Sequence, residues 1–225
     1  MATLYLVATP IGNLEDITFR AVRVLKEVAV VACEDTRQTK KLLNHYEIKT
    51  KTISFHQHSG GRKADEIMAV LADGGNVAYV SDAGTPGISD PGEQLVKAVV
   101  EKFGDDVKIE PIPGPSAIAA LASVSGLPTS SFVFYGFLPH KKGRQTLVRE
   151  IIASDKTAFL YESSHRIGKL LAQLAEQGIG DRQIVIGREL TKKFETIYRG
   201  TVAEIQAQLT AAHERGEFTV AIAPR

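Results

Sequence analysis

The segment Ser81-Asp82-Ala83-Gly84-Thr85-Pro86-Gly87-Ile88-Ser89-Asp90-Pro91-Gly92 carries the residue types that say most about chemistry. It joins an apolar run that reads as a buried strand, Val77–Val80, to a helical pattern over Glu93–Phe103. Such connections usually take about 2–6 residues, and long loops at strand ends are where function concentrates. The glycines permit close backbone approach to a ligand, while the prolines restrict the loop. Asp82 and Asp90 bring carboxylates able to accept hydrogen bonds from ribose hydroxyls, an amino group or a cation. The plainer alternative is that each closes a turn or caps the helix beginning at Gly92.

Other strand ends carry comparable residues. Thr9-Pro10-Ile11-Gly12-Asn13 follows the first strand and matches neither G-x-G-x-x-G nor a phosphate loop, which weakens dinucleotide and nucleoside-triphosphate readings. Glu34 and Asp35 follow the second strand and are candidate proton acceptors; their alternative is an N-cap for the next helix. Pro113-Gly114-Pro115-Ser116-Ala117 leads into an Ala-rich helix whose free N–H groups suit a carboxylate or phosphate, or where Ser116 is simply a cap. In Tyr161-Glu162-Ser163-Ser164-His165-Arg166, the polar residues Glu162, His165 and Arg166 again stand where a strand becomes a helix. Basic residues gather at 37–41, 140–144 and 188–193, a candidate anion-binding track whose plainer alternative is solvated loops. Two features carry less: His56-Gln57-His58 lacks a supporting Cys/His cluster for metal, and no G-x-S-x-G elbow occurs.

The elements that must position these loops alternate regularly. Strands are expected at Leu4–Ala8, Ala29–Ala32, Lys51–Phe55, Val77–Val80 and Val107–Ile112, then at Phe132–Tyr135, Ala158–Tyr161, Gln183–Ile186, Thr196–Tyr198 and Phe218–Ile222. Between them helical spacing is expected from about Asp16 (with Phe19, Val22 and Leu25 on its apolar stripe), from Thr36, and over Ala64–Leu71 and Glu93–Phe103. Further helices are expected over Ser116–Ser125, Leu147–Ile152, Ile167–Gln177 and Val202–Glu214. The breaker cluster Pro111–Pro115 divides the chain, so two α/β domains with mostly parallel sheets are expected, 1–113 and 114–225.

The bulk properties set limits. The 225 residues carry 27 Lys plus Arg against 26 Asp plus Glu, a formal charge of +1. That excludes a basic nucleic-acid coat, but not a local basic track on a neutral body. The single cysteine, Cys33, excludes a disulfide framework and fits a reducing compartment. No apolar run reaches the roughly 18 residues of a membrane span. A cytoplasmic protein without metal or membrane partner is expected.

Seven segments taken in order point further. They are Thr9-Pro10-Ile11-Gly12-Asn13-Leu14, Cys33-Glu34-Asp35-Thr36-Arg37, Ser81-Asp82-Ala83-Gly84-Thr85-Pro86 with Asp90-Pro91-Gly92, and Pro113-Gly114-Pro115-Ser116. Gly136-Phe137-Leu138-Pro139, Tyr161-Glu162-Ser163-Ser164-His165-Arg166 and Arg188-Glu189-Leu190-Thr191-Lys192 complete the set. Together they resemble the tetrapyrrole methylase superfamily, and within it the branch that methylates ribosomal RNA. The resemblance implies two α/β domains with S-adenosyl-L-methionine in the cleft between them, and a homodimer. It implies methylation of the ribose 2′-hydroxyl of a cytidine in 16S rRNA within the 30S subunit. It places the cofactor near Pro10, Asp82, Ala83, Thr85, Ser116, Ala117, Leu138 and Glu162. The candidate acceptors for the hydroxyl proton are then Asp35, Glu34, Asp90 and His165, with Asp35 and Glu34 the expected catalytic pair and Arg37, Lys141, Lys142, Arg144 and Arg166 on RNA phosphate. The alternatives are methylation of a tetrapyrrole or diphthamide precursor, whose enzymes open on a Gly-rich loop unlike Thr9–Asn13, and a non-catalytic rRNA-binding assembly factor.

Overall fold

The computed structural model of the chain describes residues 1–56, 61–209 and 215–225. It divides into two compact units, Met1–Ser116 and Ala117–Arg225. The division falls beyond the proline cluster rather than within it, because Pro113–Pro115 is tied to the first unit. The Thr85 hydroxyl donates to the Pro115 carbonyl at 3.0 Å. A Cβ on Gly114 would lie 3.0 Å from that of Ala8.

The first unit is a five-stranded, wholly parallel sheet. Its strands are β1 (Ala2–Val7), β2 (Val30–Cys33), β3 (Thr52–Ser54), β4 (Val77–Val80) and β5 (Val107–Ile112), ordered β3-β2-β4-β1-β5. The near-continuous apolar runs Val30–Cys33 and Val77–Val80 are buried on both faces, as a covered parallel sheet requires. One face packs on α1 (Phe19–Glu27) and α2 (Thr36–His45) through Val24, Leu25 and Leu43; the other packs on α3 (Gly61–Ala72) and α4 (Gly92–Phe103) through Ile67, Leu71, Leu95 and Val99.

Helix α1 begins later than expected. Thr18, not Asp16, caps it by accepting from the Ala21 N–H, while Asn13 caps a short 3₁₀ turn over Leu14–Asp16. With the start moved, Phe19 leaves the packed stripe and is 97% exposed.

The second unit corrects the expectation of a mostly parallel sheet. Its strands β6 (Phe132–Phe137), β7 (Thr157–Ser163), β8 (Ile184–Arg188), β9 (Thr196–Gly200) and β10 (Glu217–Ile222) are ordered β6-β7-β10-β8-β9. Only β6 and β7 run parallel; β7–β10, β10–β8 and β8–β9 are antiparallel. The reason is local. No helix separates β8 from β9, so the chain returns directly beside itself, whereas a parallel pair needs a crossover of a dozen or more residues. One face is covered by α6 (Arg144–Ala153), α7 (Ile167–Glu176) and α8 (Val202–Gln208), around Val148, Leu170, Leu174 and Ile205. The other carries α5 (Ala117–Ser125) over β8 and β10. Of the helix expected to run to Glu214, residues 210–214 lie outside the described residues, as do Gln57 and His58 of the metal expectation.

Candidate active site

In a doubly wound sheet the ligand side is the carboxyl end of the strands. In the first unit three loops meet there. Thr9 and Gly84 form an isolated antiparallel bridge, each N–H donating to the other's carbonyl at 3.0 Å, which pins the first-strand loop to the long loop. The Ser81 hydroxyl donates to the carbonyls of Ala83 and Gly84, and the Thr85 hydroxyl reaches Pro115. Pro10, Ser116 and Ala117 are half-buried beside them in sequence, while Asp82 and Ala83 are exposed.

Asp90 closes the far end of the long loop. Its carboxylate accepts from the Gly87 N–H at 2.9 Å and the Gly92 N–H at 2.7 Å, and Tyr79 donates to it at 3.4 Å. The turn-closing alternative therefore describes Asp90. It also explains Gly92: a Cβ there would lie 2.8 Å from both Asp90 Oδ1 and the Gly87 nitrogen.

Four carboxylates stand at the ends of β2 and β4 or in the loop beyond β4, and their environments separate them. Asp35 caps α2: the Arg37 N–H donates to it at 2.8 Å, and the Arg37 guanidinium adds Nε at 3.2 Å and a second nitrogen at 2.8 Å. Those hydrogen bonds hold the Asp35 carboxyl down at about 2. Its backbone N–H donates to Asp82 Oδ1 at 3.0 Å, linking the two strand ends. Glu34 is half-buried, and burial, then the charges of Asp82 and Asp90, push its carboxyl above the ordinary glutamate range against a smaller opposing effect of His56. Asp82, although exposed as a residue, is raised too, first by partial desolvation of its carboxylate and then by Asp35 and Asp90, against the Asp35 N–H that it accepts.

The second unit arranges the same strand-end position differently. Glu162, on β7, is fully buried. It accepts from Arg144 at 3.0 Å, from Arg166 Nε at 3.0 Å and from the Ser163 N–H at 2.9 Å. Arg144 also donates to Gln173 at 2.8 Å, and Arg166 donates to the Leu138 carbonyl and lies 3.4 Å from His140. Leu138 is buried, and Ser164 ties the following turn to Gly216.

The model of the Tetrapyrrole (Corrin/Porphyrin) Methylases matches residues 3–206. The chain belongs to the tetrapyrrole methylase family. Curated relatives named "Ribosomal RNA small subunit methyltransferase I" include one from Halalkalibacterium halodurans (46% identical, covering 98% of this chain and 75% of the relative). Another, from Thermotoga maritima, is 41% identical and covers 99% and 98%. Among solved structures, a diphthine synthase superposes with a TM-score of 0.75 at 14% identity, covering 99% of this chain and 90% of that one. The uroporphyrin-III C-methyltransferase of Thermus thermophilus complexed with S-adenosyl homocysteine gives 0.66 at 17%, covering 99% and 97%. These structural likenesses carry the tetrapyrrole methylase fold.

Within this fold the expected RNA-contacting residues divide. Lys141 and Lys142 are exposed, and so is Arg37, although Arg37 pairs with Asp35. Arg144 is buried, with Glu162 and Gln173 on its guanidinium, and Arg166 is turned inward onto Glu162 and Leu138. Two groups escaped sequence reasoning. One is the buried pairing of Glu162 with two arginines, whose one sequence signal is a lone carboxylate ending the apolar run Thr157–Tyr161. The other is the contact of the Asp35 N–H with Asp82, which joins strands distant in sequence and has no local signal.

Proposed function

We propose that this protein is an S-adenosylmethionine-dependent methyltransferase of the ribose 2′-hydroxyl of a cytidine in 16S rRNA, presented within the 30S subunit. The observation that carries the substrate is the 41–46% identity, over nearly the whole chain, to relatives named for ribosomal RNA. The porphyrin- and diphthine-acting neighbours are 14–17% identical and favour only the fold. A homodimer in the cytoplasm belongs to the same reading.

The first unit's residues fit the cofactor chemically. A sulfonium and an α-amino group are cations, and Glu34, Asp35, Asp82 and Asp90 make the strand ends of this unit negative. Asp82 offers acceptors for amino or ribose hydroxyl groups; Pro10, Ala83, Thr85, Ser116, Ala117, Leu138 and the segment at Glu162 are the rest of the set that the family resemblance assigns to the cofactor. When bound, the cofactor supplies an electrophilic methyl group.

The chain's own task is to orient the 2′-oxygen and take its proton. Asp35 is committed to Arg37 and is too acidic to serve well. Glu34 is not so committed, and its raised carboxyl is the better base, because catalytic proton acceptors work best with values near the working pH. Glu162 acts through Arg144 and Arg166, holding the loop that starts at Leu138. The test is transfer of labelled methyl onto unmodified 30S subunits, naked 16S rRNA and a porphyrin acceptor, with the modified ribose mapped. Label on one cytidine 2′-oxygen of the subunit is expected; label on the porphyrin alone, or none with tight cofactor binding, overturns the assignment.

A further inference from the structure

The edge strand β6 carries an aromatic stripe that the reaction scheme does not use. Phe132 and Phe134 alternate along it, and their rings meet Phe159 at 5.2 Å and Tyr161 at 4.9 Å. Strict alternation would send Phe137 to the opposite face. A register shift between Phe134 and Phe137, with Gly136 at φ 63°, instead brings the Phe137 ring to 5.3 Å from Tyr161. Phe137 is nevertheless 55% exposed. Bulges of this kind re-aim a side chain, and here the bulge presents a large apolar ring to solvent at a strand end.

The loop just beyond Phe137 is basic. Of the three basic runs, that at 188–193 is largely occupied: Lys192 pairs with Glu189 and Glu217, and Arg188 donates to the carbonyls of Arg215 and Phe194. In the run at 37–41, Arg37 is paired with Asp35 and Lys41 donates to Gln38. Lys141 and Lys142, by contrast, are exposed and form no ion pair among the described residues. The loop bearing them is held at its root by Arg166 on the Leu138 carbonyl, itself locked by the buried Glu162.

An exposed aromatic ring followed four and five residues later in the chain by exposed cations is the chemistry that binds single-stranded nucleic acid: a base stacks on the ring and the lysines meet phosphate. We propose that Phe137, backed by Tyr161, is a stacking platform for an unpaired base of the RNA substrate, with Lys141 and Lys142 on the neighbouring phosphates. This rests on the rRNA reading above and deepens it, since it assigns a residue for holding the substrate strand rather than the cofactor.

The experiment measures fluorescence anisotropy of a labelled, unstructured oligocytidylate on the whole protein, alongside methyl transfer to 30S subunits. Phe137→Ala should weaken RNA binding roughly 5- to 150-fold, the range for losing one stacked base, with the salt dependence unchanged. Phe137→Tyr should bind as the unsubstituted protein does. Phe137→Leu, which keeps apolar packing against Tyr161, should behave like the alanine variant. Lys141→Gln with Lys142→Gln should instead flatten the salt slope, by roughly 0.7 per lost phosphate contact. Full affinity in the leucine or alanine variant overturns the platform, and so does a change in sedimentation without a change in RNA affinity, which would make the stripe a contact between copies. If the unsubstituted protein methylates 30S subunits in that case, only the platform falls; if it does not, the rRNA reading falls first.

Discussion

The two units place carboxylates at equivalent strand ends and use them in opposite ways. In the first, Glu34 and Asp82 stand near other carboxylates, and both are raised. In the second, Glu162 is sealed from water between two guanidinium groups. Partial burial first, and then the like charges gathered there, raise these carboxyls, and the resulting negative potential suits a cationic cofactor and a proton acceptor. A single buried carboxylate between arginines has no such freedom. It fixes Arg144 and Arg166, and through them the loop from Leu138 to Lys142. A polar residue at the right end of a strand thus identifies the working edge of a sheet, while burial and partners decide whether it does chemistry or holds what does.

The most severe change disrupts the second arrangement. Glu162→Ala leaves two arginines without their buried counter-charge and should cost about 3–5 kcal/mol in denaturant unfolding. A loss below about 1 kcal/mol would mean that water already reaches the pair.

The first arrangement is probed by pH. Glu34 accepts a proton only when ionised, so turnover at saturating cofactor should rise as pH climbs through its raised value. Asp82→Asn removes a neighbouring negative charge, favours the ionised form of Glu34, and should move that acidic limb to lower pH. A limb that stays in place would separate Asp82 from the acceptor. The mildest change is Asp35→Ala, which removes the cap of α2 and should lower the melting temperature modestly, with the Glu34-dependent limb retained.

The first unit was the more legible in sequence. Its inner strands β2 and β4 are unbroken apolar runs separated by helices, so periodicity located them, and the long Ser81–Gly92 connection stood out as a candidate ligand loop. The second unit obscured its topology because strand length and apolarity do not report direction; only the missing helix between Arg188 and Thr196 signalled an antiparallel return. Phe19 misled because an apolar residue at a helix start lies inside or outside according to where the cap falls, here Thr18. Arg144 misled because its neighbours Lys141 and Lys142 are solvated, and its partner Glu162 lies a strand away. The aromatic contact of Phe137 with Tyr161 depends on a bulge at Gly136, which alternation cannot foresee.

The proposed chemistry turns on Glu34 as the acceptor at the negative strand ends. Single-turnover methyl transfer to 30S subunits by the unsubstituted protein and by Glu34→Gln, with cofactor affinity measured by calorimetry on both, isolates that role. The substitution should lower the rate by about 10²–10⁴-fold while leaving cofactor affinity within a few-fold. A rate that survives the substitution, or one lost only in proportion to cofactor binding, would refute Glu34 as the acceptor.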